Sequence, residues 1–128
     1  MQDRPTIDEL LEAVANFLTD DVMPATTGRV NFHARVSANA MQTIRRELQL
    51  QEEHFAREWD GLDGLLGEVP RPASLKDYPS QLEERNRELV RRIDAGDVDE
   101  GDFRQRVFDH LRVVTHDKLS VTNPGWLR

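Results

Sequence analysis

Val30-Asn31-Phe32-His33-Ala34-Arg35-Val36-Ser37-Ala38-Asn39-Ala40-Met41-Gln42-Thr43-Ile44-Arg45-Arg46-Glu47-Leu48-Gln49-Leu50 decides the fold class. Phe32, Val36, Ala40, Ile44 and Leu48 recur every four residues, the repeat of a helix face and not the alternation of a strand. The spacing predicts a helix from about Val30 to Leu50. The next apolar run, Phe55, Trp59, Leu62, Leu65 and Leu66, keeps the same period; it either continues that helix or follows a bend near Gln51. Gly61, Gly64 and Gly67 weaken its far end, because glycine costs about 1 kcal/mol relative to alanine inside a helix.

The same reading extends in both directions. Upstream, Ile7, Leu10, Leu11, Val14, Phe17, Leu18 and Val22 form a first helix. Thr6 is its N-cap, and Glu9 completes a capping box. Pro24 and Thr26-Thr27-Gly28 end it. Downstream, Glu68 to Ser80 is the main loop, with Pro70, Pro72 and Pro79 in it and one short turn at Ser74-Leu75-Lys76-Asp77. A helix from about Gln81 to Ala95 turns Leu82, Leu89, Val90 and Ile93 inward, and Gly96 follows as a left-handed C-cap. A last helix from about Asp102 to Val121 turns Phe103, Val107, Leu111, Val114 and Leu119 inward, and Asn123-Pro124-Gly125 stops it. No segment alternates like a strand. The expected fold is all-α, an antiparallel bundle of about five helices in one domain spanning residues 1–128.

Composition narrows the function classes. The chain has 128 residues, 24 acids against 17 bases and a net charge of −7. DNA-binding domains usually present net positive charge to release counterions, so nucleic acid is not an expected partner. Cysteine is absent, which removes thiolate chemistry and most structural zinc sites. The opening Met1-Gln2-Asp3-Arg4-Pro5 lacks the basic-then-apolar pattern of a secretory leader. No run approaches the roughly 18 apolar residues of a membrane span. A cytoplasmic protein without membrane contact is the expectation. No nucleotide-loop, nucleophile-elbow or zinc-protease motif occurs.

Polar residues on apolar arcs are the candidate sites. On the helical wheel, Glu47 falls between Val36 and Ala40, and His33 between Ala40 and Ile44. Lys118 falls between Val107 and Leu111, and Asn86 between Ile93 and Val90. A buried charge needs a partner. Glu47 and Lys118 therefore suggest a cross-bundle pair that fixes helix register. The alternatives are a solvated pocket lined by Glu47, Lys118 and His33, or that one or more of these side chains reaches solvent; a separate reading is an enzyme using Glu47 as general base with its pKa raised by burial. His33 and Glu47 lie about 21 Å apart along one helix, so they share no site with each other. His110 and His116 are six residues apart, not the three or four that put two ligands on one face. No metal or cofactor site is expected. Arg35, Asn39, Gln42 and Arg46 form a polar stripe on the other side of the second helix. Two guanidiniums and two amides there suit a carboxylate, a phosphate or an acidic partner helix. Between Val22 and Arg46 there is no acid at all.

Three stretches carry a family resemblance. They are Arg4-Pro5-Thr6 with Glu9-Leu10-Leu11-Glu12-Ala13-Val14; Phe32 to Ala40 with Arg45-Arg46-Glu47-Leu48; and Lys118-Leu119-Ser120-Val121-Thr122-Asn123-Pro124. The chain resembles a family of small bacterial helical proteins of unknown function. Its members are often encoded beside aminoglycoside-phosphotransferase-like kinases and acyl-CoA dehydrogenases. The resemblance implies a helical accessory domain with no catalytic residues to carry over. Its expected partner is a kinase-like protein or an acyl-CoA dehydrogenase, docked on the arginine stripe. The alternative is a binding domain for an anionic small molecule such as acyl-CoA or a nucleotide. A homodimer is a further expectation if apolar side chains at the end of the third predicted helix stay exposed.

Overall fold

A computed structural model describes residues 3–128; Met1 and Gln2, where the opening segment begins, lie outside the described residues. Four α-helices account for the fold: α1 (Ile7–Phe17), α2 (Gly28–Leu66), α3 (Tyr78–Asp94) and α4 (Gly101–Thr122). No strand occurs among the described residues. The expected count of five is corrected to four, because the second and third predicted helices are one. From Arg29 to Asp60 there is neither glycine nor proline to break the ladder. Gly61 and Gly64 sit inside this 39-residue helix, and Gly67 ends it in the left-handed region at φ 97°. The chain divides into two compact units, residues 1–50 and 51–128.

The first unit is a helical hairpin. Thr6 caps α1, accepting from the Glu9 N–H at 3.2 Å, while Glu9 accepts from the Thr6 N–H at 2.7 Å. This is the reciprocal box read from the sequence. A π-helical turn, Leu18–Val22, extends α1. Asn31 then locks the connection by donating to the Met23 carbonyl at 2.7 Å and the Thr26 carbonyl at 3.2 Å. At the other end, Arg45 forks onto Asp8 through two bonds of 2.8 and 2.9 Å, and Gln49 adds a third at 3.1 Å. The start of α1 is therefore pinned beside residues 45–49 of α2, so the two helices run antiparallel. The buried residues of this unit are Ala15 of α1 and Ala34 and Ala38 of α2.

That seam corrects the expected inward face of α2. Phe32, Val36, Ala40, Ile44 and Leu48 are all exposed. Alanines admit a close helix approach, and the Arg45–Asp8 fork selects the alanine side. The large residues, which a closed bundle would bury, are left in solvent. On α1 the exposed apolar residues are Ile7 (64% exposed), Leu10, Val14 and Phe17 (57%).

The second unit has a conventional core. Trp59, Leu62 and Leu65 of α2, Leu82 and Leu89 of α3 and Val107 of α4 form it, with Phe55, Tyr78 and Phe103 packed against them. Leu62 is wholly buried. Tyr78 stacks on Phe55 at 5.5 Å and meets Trp59 edge-on at 5.8 Å. Arg85 of α3 closes the end of α2. It donates to Asp63 at 2.6 Å and to the Gly67 carbonyl at 2.8 Å, and its guanidinium lies 4.8 Å from the Trp59 ring. That placement satisfies an orphan helix-end carbonyl and adds a cation–π contact. Gly96, at φ 89°, ends α3 as its sequence position suggests. Val90 and Ile93, expected inward, are exposed.

No described helix is long and apolar enough to cross a membrane.

Candidate functional site

The buried side of α4 differs from the sequence expectation. Val107, His110, Val114, Asp117 and Val121 are buried, at steps of three, four, three and four. Two of these five are polar. Leu111 is exposed, and Lys118, one residue past Asp117, turns to solvent.

Asp117 is 7% exposed and organises a cluster. Arg57 Nη1 donates to its Oδ1 at 2.5 Å. His54 Nε2 and His116 Nδ1 each lie 3.8 Å from the same oxygen. Arg57 also pairs with Glu53, one helical turn back. The hydrogen bond that Arg57 donates to Asp117 raises the guanidinium pKa above its ordinary value. A carboxylate buried to this depth needs such a partner.

His110 is 8% exposed, and its Nε2 is buried without a hydrogen-bond partner. Its ring lies against Gly61 of α2, where an added Cβ would overlap Nδ1. The glycine that weakens α2 therefore makes room for the imidazole. Burial pushes the His110 pKa below its ordinary 6.5, against a weaker upward pull from Glu58. The ring is neutral at neutral pH. It lines an open groove of about 430 Å³, together with Arg57, Gly61, Leu65, Arg106 and Val113. Arg106 donates to the Gly64 carbonyl inside α2. Asp60 and Asp109 also line this groove, so its charges nearly balance. No group of three or more His, Cys, Asp or Glu among the described residues is placed to hold a metal ion.

The residues singled out from the sequence fall elsewhere. Glu47, Lys118 and His33 are exposed, which corrects their expected place in the core. The wheel assumed that the largest apolar residues face inward; on α2 the alanine side does so, and on α4 the His110–Asp117 side does so. Without burial, the ground for a Glu47–Lys118 register pair and for Glu47 as a general base is gone. His33 is in hydrogen-bond contact with Arg29 at 3.4 Å. Asn86 is half-buried and paired, donating to Glu58 at 2.9 Å and to the Leu82 carbonyl at 3.0 Å. In the stripe, Gln42 is half-buried and accepts from Arg45 at 3.2 Å. Arg46 is half-buried and reaches Thr43 at 3.3 Å. Arg35 and Asn39 are exposed, and Arg35 makes no ion pair with any described residue.

A family model described as a domain of unknown function, DUF6285, matches residues 24–126. The chain belongs to the DUF6285 family. No curated protein and no solved structure matches it. The DUF6285 match takes in α2, α3 and α4, and so includes the Arg57–Asp117 cluster, His110 and the arginine stripe, while α1 precedes it.

The 3-4-3-4 spacing of Val107, His110, Val114, Asp117 and Val121 was present in the sequence. Two of its five members are polar, so hydrophobic periodicity alone does not mark it as the buried side.

Proposed function

We propose that this DUF6285 protein is a non-catalytic accessory domain that docks on an aminoglycoside-phosphotransferase-like kinase or an acyl-CoA dehydrogenase through the outer side of α2. The observation that carries the reading is that Phe32 and Arg35, three residues apart on α2, are both exposed, with Asn39 exposed one turn on. Phe32 is 59% exposed. An arginine beside an exposed aromatic is the composition of an interface anchor and its charged rim. The family resemblance supplies the two partner classes. The test is co-purification of tagged protein from its native host, comparing wild type with Phe32→Glu/Arg35→Glu. A kinase-like protein or an acyl-CoA dehydrogenase should come down with wild type and be lost with the variant. Equal recovery with both forms would exclude this surface.

The second reading is a small anionic ligand in the His110 groove, which rests on the buried imidazole whose Nε2 has no hydrogen-bond partner; Arg57 and Arg106 line that groove together with Asp60 and Asp109. Thermal shift with acyl-CoA and nucleotide probes tests it. A rise in melting temperature that disappears in His110→Gln supports it, and no rise with any probe rejects it.

A further inference from the structure

The hairpin of the first unit leaves a second surface uncovered. Ile7, Leu10, Val14 and Phe17 recur at steps of three, four and three, so they share one side of α1, and all four are exposed. On α2, Ile44 and Leu48 continue at helical spacing from Arg29, His33 and Ala40. That line is separate from the one carrying Phe32, Arg35, Asn39 and Arg46. Two helices joined by three alanines bury little apolar area, and isolated helices of this length gain most of their stability from packing an apolar face.

Charge shows what fits. From Ile7 to Val22 there are five acids and no base, and from Gly28 to Arg46 four arginines and no acid. Asp8 and Glu12 are satisfied by Arg45, and Glu9 by Arg4. Asp20 and Asp21 pair with no described residue, and Arg29 is held only by His33. The Asn31 bonds to Met23 and Thr26 keep these unpaired groups at the same end of the hairpin. There, an apolar groove of about 360 Å³ is lined by Leu18, Val22, Val30 and Ala34, with Arg29 and His33 also in its wall.

One surface thus offers an apolar knob with acids beside it, Phe17 with Asp20 and Asp21, and an apolar groove with a base beside it. A two-fold interface requires that self-complementarity, because each patch must meet its counterpart on an identical chain. We infer that the protein is a homodimer in which two hairpins close into a four-helix bundle. The acidic α1 of each copy faces the basic first half of the other copy's α2, with Phe17 seated in the opposite groove and Asp20 and Asp21 beside Arg29 and His33. Four helices around a shared apolar seam are a common closed arrangement.

The test is light scattering coupled to size exclusion, with sedimentation to obtain Kd, on the full chain. Wild type should have the mass of two chains at micromolar concentration. Val14→Glu, at an exposed position, should be monomeric with an unchanged far-ultraviolet spectrum. Asp20→Lys/Asp21→Lys and Arg29→Glu/His33→Glu should each weaken Kd by about tenfold or more. An equimolar mixture of those two variants should regain the dimer, since each supplies the charge the other needs. A wild-type monomer, a dimer indifferent to Val14→Glu, or no recovery on mixing would overturn the inference. The His33 ring packs edge-on against Phe32 at 5.6 Å, so enzyme docking is compared only in Val14→Glu and Asp20→Lys/Asp21→Lys, which leave Phe32, His33 and Arg35 in place and let loss of the dimer be read apart from loss of docking.

Discussion

The two units use the same kind of helix in opposite ways. In residues 51–128, Trp59 and Leu62 of α2 are almost wholly buried. In residues 1–50, the large side chains of the same helix, Phe32, Val36, Ile44 and Leu48, are exposed, and Ala34 and Ala38 form the seam. The difference lies in how many elements face the helix. The second half of α2 meets two helices and their aromatic flank. The first half meets one, held by alanines at its centre and by polar bonds at its ends. Amphipathic spacing marks a face that wants cover, and it does not say whether the chain itself supplies that cover.

The comparison predicts where mutations cost stability. The largest effect is at the core: Leu62→Ala should cost about 2–5 kcal/mol in urea unfolding. The corresponding truncation in the hairpin, Val14→Ala, should fall near 0.5 kcal/mol or less under conditions where the chain is monomeric. Equal losses at the two sites would erase the distinction between core and surface.

The glycines of α2 sharpen it further. Gly61→Ala should destabilise by about 1–3 kcal/mol, because the new methyl forces the His110 ring to move. Gly64→Ala meets nothing within 4 Å and should stabilise by up to about 1 kcal/mol through helix propensity alone.

A smaller effect is expected from pH. The folded-state pKa of His110 is depressed, so the unfolded chain binds the proton more readily. That contribution to stability is complete above the ordinary value of 6.5 and is lost as pH falls through the lower folded value. Urea midpoints should therefore decline on acidification below about pH 6.5, and less so in His110→Gln. An identical decline in both forms would assign the effect to other groups.

Much of the fold was legible in the sequence, for local reasons. The Thr6–Glu9 box, the Gly96 cap, the Ser74–Asp77 turn and the Trp59-Leu62-Leu65 face each depend on residues within a turn or two of one another. The continuity of α2 was only half legible: no breaker lies between Arg29 and Asp60, but the apolar period fits a bend near Gln51 equally well, which is how the expected count of five arose. What was not legible depends on contacts between helices. Nothing local says that Ala34 and Ala38, rather than Phe32 and Val36, face α1; that follows from Asp8 meeting Arg45, 37 positions away. Likewise Asp117 is buried because Arg57 reaches it from 60 positions away, and His110 because Gly61 leaves space for it. Each polar residue in the buried side of α4 owes its place to a residue on α2.

The most direct test of the contrast between the units is hydrogen exchange followed peptide by peptide as protein concentration is raised. The account predicts that residues 7–17 and 28–50 gain protection with concentration as the exposed apolar faces become covered, while α3 and α4 stay constant. Protection of α1 that is independent of concentration and as strong as that of α3 and α4 would contradict it, because the hairpin would then be stable without a partner.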